Sequence, residues 1–126
     1  AAGEWAAGVP RVVSIELWDE ESGTMASAEV GVLVGRCYTC LSLFARTEAF
    51  PRCDQVRAWA ACLLLKRAGV ALVDVGTTAG YFCAMYGFRR TERSEFVALW
   101  RAHRRTAPAD AHVLREGCRD VRALLE

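Results

Sequence analysis

Three alternating segments near the amino end constrain the fold most. In RVVSIELW (residues 11–18), Val13, Ile15 and Leu17 share one side and Ser14 and Glu16 the other, the period of a half-buried strand. In MASAEVGVLVG (25–35), Ala26, Ala28, Val30, Val32 and Val34 recur on one side, and CYTCLSLFA (37–45) makes a third strand. The polar DEESGT separates the first two, and Gly35-Arg36 is short enough for a hairpin turn between the second and third. Strands joined this closely pair most readily with their neighbours, so an antiparallel meander with one face needing cover is expected.

The rest of the chain reads as that cover. RTEAFPR is a loop, after which Asp54 is placed to cap a helix that ends near Gly69. The helix centre, AWAACLLL, is apolar all round, which predicts burial on most sides. VALVDV (70–75) is a continuous apolar run, the pattern of a central strand. A short helix is predicted over residues 78–86, closed by Gly87, with FRRTE as a further short strand. Ser94 is placed to cap a last amphipathic helix in which Phe96, Leu99, Trp100 and His103 fall at helical spacing. Pro108 breaks that pattern. The order predicts an α+β fold with a mixed, mostly antiparallel sheet flanked by helices. Its parts are an extension over 1–10, the folded domain over 11–106 and a helical tail over 107–126.

The 126 residues suffice for one hydrophobic core, and a net charge of +1 selects no class of partner. Distribution says more: residues 89–105 hold arginines 89, 90, 93, 101, 104 and 105 against Glu92 and Glu95, which suits either a solvated helix face or an anionic partner. Arg101, Arg104 and Arg105 also complement the helix dipole, a structural reason for their position. No apolar run is long enough to span a membrane, and AAGEWAAGVP lacks the basic start and apolar centre of a signal peptide. A first residue other than methionine fits a processed product or a piece of a longer chain. Six cysteines (37, 40, 53, 62, 83, 118) sit in or near apolar patterns and read as reduced thiols of a cytoplasmic protein. CYTC has zinc-knuckle spacing, but nothing near it completes four ligands, and positions 37 and 40 of a strand point to opposite faces. No metal is expected.

AMYGFRR, a short helix ending at glycine before a further segment, is similar to the closing stretch of the GNAT (Gcn5-related N-acetyltransferase) superfamily. Ordinary members hold acetyl-CoA on a glycine-rich turn ahead of the long helix. RTEAFPRCDQVRAW, at that place, has no glycine, so acetyl-CoA is disfavoured as donor. A closer resemblance covers roughly residues 12–105. SIELWDEESGTMASAEVGVLVGRCYTCLSLFAR, ALVDVG and RSEFVALW, in that order, resemble the C-terminal domain of leucyl/phenylalanyl-tRNA–protein transferase. That family moves leucine or phenylalanine from aminoacyl-tRNA to a protein N-terminus, forming an N-degron for protein degradation.

The resemblance implies site residues. Asp74 matches the aspartate of the family's Asp-x-Gln motif, which helps position the base near the attacking amine, while Gly76 stands where the glutamine belongs. Tyr38, Leu43 and Val73 match positions that line the pocket for the aminoacyl side chain. Leu41 replaces a glutamate that recognises the basic acceptor residue, and Glu29 is a nearby carboxylate. Arg89, Arg90, Arg101, Arg104 and Arg105 are candidates for tRNA phosphates. The family's N-terminal domain, which adds tRNA contacts, has no counterpart in this sequence. Each residue also has a plainer reading: Asp74 as cap of the following turn, Tyr38, Leu41 and Leu43 as core packing, and His103 as part of an apolar helix stripe. Two functions remain open on this basis: an aminoacyltransferase needing no cofactor beyond its tRNA-borne donor, or a catalytically degenerate domain that binds tRNA or a peptide terminus without turnover.

Overall fold

The computed structural model describes residues 8–76, 79–115, 117 and 120–125, apart from the side chains at 79–81, 83 and 125. The meander forms as expected. Strand β1 (Arg11–Asp19) pairs antiparallel with β2 (Thr24–Val34), and β2 pairs antiparallel with β3 (Cys37–Ala45). Helix α1 (Cys53–Ala68) then crosses over one face, and β4 (Leu72–Asp74) returns parallel to β3. The result is a mixed sheet in the order β1-β2-β3-β4, flanked by helices.

Alternation along the strands divides the sheet into two faces. The inner face meets α1, and Ile15, Leu33 and Tyr38 form a buried core with Ala61 and Leu65 of that helix. On the outer face, helix α3 (Arg93–His103) covers the end of the sheet at the β2–β3 turn. There the Arg36 amide donates to the His103 carbonyl at 3.0 Å and Cys37 Sγ lies 3.7 Å from the Trp100 carbonyl. Gly35 makes this docking possible: its φ is +57°, and a Cβ there would run into the Arg104 carbonyl. Helix α2 (Ala79–Tyr86) brings Tyr86 edge-on to Trp59 of α1 at 5.5 Å between ring centroids. The tail docks along α1. A 3-10 turn (Ala111–Leu114) and the short α4 (Val121–Leu125) are held by the Asp110 amide on the Ala68 carbonyl and by Arg67 Nη2 on the Leu124 carbonyl.

Several local expectations change. Strand β2 turns Ser27, Glu29, Gly31 and Leu33 toward α1, whereas Val30, expected inside, lies on the outer face and is 39% exposed. The cause is on α1: Arg57 points into the sheet and requires acceptors, which Ser27 and Glu29 supply. The run 70–75 yields only three strand residues, and among the described residues β4 is an edge strand rather than a central one. No ladder forms over FRRTE. Asp54 lies inside the first turn of α1, whose N-cap is Arg52 at φ 65°, and Ser94 likewise lies one residue inside α3, whose N-cap is Glu92. The glycine end of α1 is as predicted: Gly69 is left-handed, its amide bonds the Lys66 carbonyl, and the Val70 amide bonds Leu65. Trp59, in the run read as buried all round, is exposed on its outer side.

Candidate active site

The site is built by one irregularity. Between Val30↔Ser42 and Gly31↔Cys40 the β2–β3 register skips, so Leu41 is an extra residue on β3. A bulge of this kind reverses the facing of everything beyond it. Tyr38 and Cys40 point inward before the bulge and Leu43 points inward after it, opposite Glu29, while Leu41 itself is thrown out and is 64% exposed. Without the bulge Leu43 would share the outer face with Leu41.

Inside, Glu29 is the hub of a buried polar cluster spanning β2, β3 and α1. The Tyr38 hydroxyl donates to Glu29 Oε2 at 2.7 Å, and Arg57 Nε approaches Oε1 at 3.4 Å. Arg57 Nη1 donates to Ser27 Oγ at 2.7 Å, and that hydroxyl in turn donates to the Phe44 carbonyl at 2.8 Å. The Arg57 and Glu29 side chains are only 3% and 8% exposed, so each charge depends on the other for compensation. Gly31 admits the Tyr38 ring, since a Cβ there would lie 2.5 Å from Tyr38 Cε2 and from the Thr39 carbonyl oxygen.

Beside this cluster lies a cavity of about 20 Å³ open to the centre of a water-sized sphere, roughly the room one water needs. Glu29, Tyr38, Leu43, Arg57 and Val73 line it, together with Phe82 and Phe88 from the segment around α2. Two thiols, Cys40 and Cys62, also line it. Burial, reinforced by the negative charge of Glu29, pushes the Cys40 thiol up to about 11. The Cys62 thiol is raised for the same reasons, in the same order. Both are therefore protonated at neutral pH and are poor nucleophiles. The Tyr38 phenol is driven far above its ordinary range, by burial first and then by Glu29, and serves as a hydrogen-bond donor.

Asp74 is placed elsewhere. Its neighbour Val73 pairs with Tyr38 and faces the cavity, so Asp74, paired with Thr39, faces the other way. Its Oδ1 accepts the Gly76 amide at 2.8 Å, the turn-capping arrangement, and Gly76 adopts φ +72°, a conformation that favours glycine over the family's glutamine. Thr77 and Thr78 lie outside the described residues. Glu29, Tyr38, Leu43 and Val73 are thus brought together, while Asp74, Gly76 and Leu41 are apart from them.

Around α3, Arg90, Arg101 and Arg105 are exposed, and Arg89 pairs with Glu95 at 3.1 Å on the surface. Arg104 differs from these: its guanidinium lies 4.9 Å from the Trp100 ring centroid and its Nε is buried without a hydrogen-bond partner. Cys37 and Cys40 fall on opposite faces, and Cys37, Cys40, Cys53 and Cys62 are free thiols. Cys83 and Cys118 lie outside the described side chains. Among the described residues, no group of three or more histidine, cysteine or carboxylate side chains could hold a metal ion, and no helix is long and apolar enough to cross a membrane.

Sequence reasoning missed Arg57, Ser27, Cys40 and Cys62. A usable signal was present: Ser27 and Glu29 are polar residues two apart on an apolar strand, and Arg57 is the cation of an otherwise apolar helix stretch. Neither is tolerated in a core alone, and they compensate each other. No family model, curated protein or solved structure matches this chain.

Proposed function

We propose that this is a GNAT-like domain of the aminoacyltransferase type that binds tRNA without turning it over. The observation that carries this reading is the separation of Asp74 from the cavity. The carboxylate that the family resemblance makes catalytic caps a turn on the far face of β4. The carboxylate that does face the cavity, Glu29, has one oxygen on Tyr38 and the other near Arg57. A base must reach the proton it removes within hydrogen-bonding distance, and space for about one water leaves no room for an aminoacyl group beside Glu29. Acetyl-CoA remains disfavoured because no glycine lies between β3 and the start of α1. What the fold still offers to a nucleic acid is the arginine surface around α3: Arg90, Arg101 and Arg105, with Arg89 beside them.

Binding through phosphates is read by salt. Affinity for uncharged tRNA should fall linearly with salt on logarithmic axes, and the slope should shrink by about one per arginine removed. An Arg90→Gln/Arg101→Gln/Arg105→Gln variant should therefore lose roughly two to three units of slope. An unchanged slope would remove this surface from the interface.

One observation favours a second reading, an active aminoacyltransferase with Glu29 in the role assigned to Asp74. Glu29 shares a cavity wall with Tyr38, Leu43 and Val73, the positions the resemblance gives to the acyl pocket. That reading requires the cavity to widen and Glu29 to exchange a protein partner for the acceptor amine. Transfer of label from charged tRNA to a peptide separates the two.

A further inference from the structure

We infer that the outer edge of β1 is a homodimer interface, two copies joining edge to edge in a single continuous sheet. Among the described residues β1 pairs on one side only, with β2, so its other side presents a row of backbone donors and acceptors. The strand carries three charged residues, Arg11, Glu16 and Asp19, but few of the other devices that block such an edge. It is nine residues long, has no proline or lysine, and is regular, because the irregularity opposite Leu17 and Trp18 puts the extra residue, Ala26, on β2.

The occupant follows from the side chains. Residues opposite each other in an antiparallel pair share a face, so a two-fold axis relating two copies of β1 must pass through a residue position. An axis at Glu16 would set that carboxylate against itself. An axis at Ser14 would set Val12 against Glu16 and Arg11 against Leu17. An axis at Ile15 matches every position: Arg11 with Asp19, Val12 with Trp18, Val13 with Leu17, and Ser14 with Glu16. Apolar residues meet on both faces, a hydroxyl meets a carboxylate in the middle, and Arg11 falls opposite Asp19, whose carboxylate also accepts from Ser22 of its own chain.

This register also accounts for two exposed apolar residues. Val12 is 75% exposed and Trp18 is 52% exposed, both on the outer face, and each would lie against the other in the partner copy. Ser14 Oγ and Trp18 Nε1 already donate to Glu16 within one chain, at 2.9 and 3.0 Å, which holds the Trp18 ring along the strand. An isologous contact repeats each pairing twice, so one self-complementary strand supplies the whole interface. A single pair of strands buries less than the about 1,200 Å² of ordinary stable complexes, so the association is expected to be weak and reversible.

Sedimentation of the full chain from micromolar to millimolar concentration tests this. A reversible monomer–dimer equilibrium is expected, weakened about tenfold or more by Val12→Asp, which sets a carboxylate against Trp18 of the other copy at both ends. Circular dichroism of V12D should be unchanged, because the residue is exposed in the monomer. In a second measurement, V12C and W18C proteins are mixed, treated with a short bis-maleimide and mapped by peptide mass. A 12-to-18 link should form in the mixture and neither variant should link through its new thiol alone. A chain that stays monomeric throughout, a dimer that V12D leaves intact, or links that join other positions would overturn the inference.

Discussion

Replacing Arg57 by methionine tests the buried cluster most severely. The methionine fills much of the same volume but removes the positive charge beside Glu29 and the donor to Ser27. Ser27 keeps a partner in the Phe44 carbonyl, so the main penalty falls on Glu29, whose side chain is 8% exposed and would retain Tyr38 as its donor. Stranding a buried charge by removing its partner costs about 3–5 kcal/mol. For a chain of this length each kcal/mol is worth roughly 3–5 °C, so the melting temperature should drop by about 10–20 °C. Urea unfolding read by tryptophan fluorescence and by far-UV circular dichroism gives the free energy, and coincident curves validate the two-state treatment. The double variant Glu29→Gln/Arg57→Met removes both charges, while the amide oxygen introduced at position 29 can still accept from the Tyr38 hydroxyl. It should recover at least half of the loss, the behaviour of a buried pair whose desolvation cost rivals its attraction. A loss below about 1 kcal/mol for R57M, or a double variant no better than the single, would refute the claim that Glu29 relies on Arg57.

Other substitutions probe the geometry around this cluster. Gly31→Ala should destabilise the fold by about 1–3 kcal/mol, because the new methyl lies 2.5 Å from both the Tyr38 ring and the Thr39 carbonyl, and the aromatic near-UV signal should change as the ring is displaced. Gly35→Ala should loosen α3 from the β2–β3 turn, read as faster amide exchange at Arg36, since the Arg36 amide loses its seat on the His103 carbonyl. Cys40 should resist iodoacetamide at pH 8 in the folded protein and react readily in urea. Its pKa is about 9.0 unfolded and about 11 folded, so the native state holds a proton that the unfolded state releases in that window. The contribution is complete below about pH 9 and is lost as pH rises toward 11, and Cys40→Ala should flatten the decline in stability over that range.

The meander, the long helix and its glycine end were legible because each rests on local rules: period two along the strands, a hairpin turn at Gly35-Arg36, and a left-handed stop at Gly69. The inner face of β2 was not. Hydrophobicity puts the Ala28–Val32 side inward, but the sheet turns Ser27 and Glu29 inward to meet Arg57, a long-range pairing between residues about thirty positions apart that no local window contains. The bulge at Leu41 has the same character. Period two through CYTCLSLFA puts Leu41 and Leu43 on one side, and the single extra residue separates them. The strand at 70–75 was over-read because apolar content does not distinguish a central strand from a short edge strand. At Asp74, sequence reasoning held both the catalytic and the turn-capping possibilities. The Asx bond to the Gly76 amide was legible in the Asp-x-Gly spacing alone.

Aminoacyl transfer itself is the decisive assay. Leucyl- and phenylalanyl-tRNA carrying labelled amino acids are incubated with the full chain and with peptides that begin with arginine, lysine or a neutral residue. The tRNA should be bound, and no label should reach any peptide beyond the background of spontaneous ester breakdown. Label on a peptide that Glu29→Gln abolishes would refute the binding-only reading in favour of catalysis at the cavity, and label that Asp74→Asn abolishes would return the chemistry to the strand end.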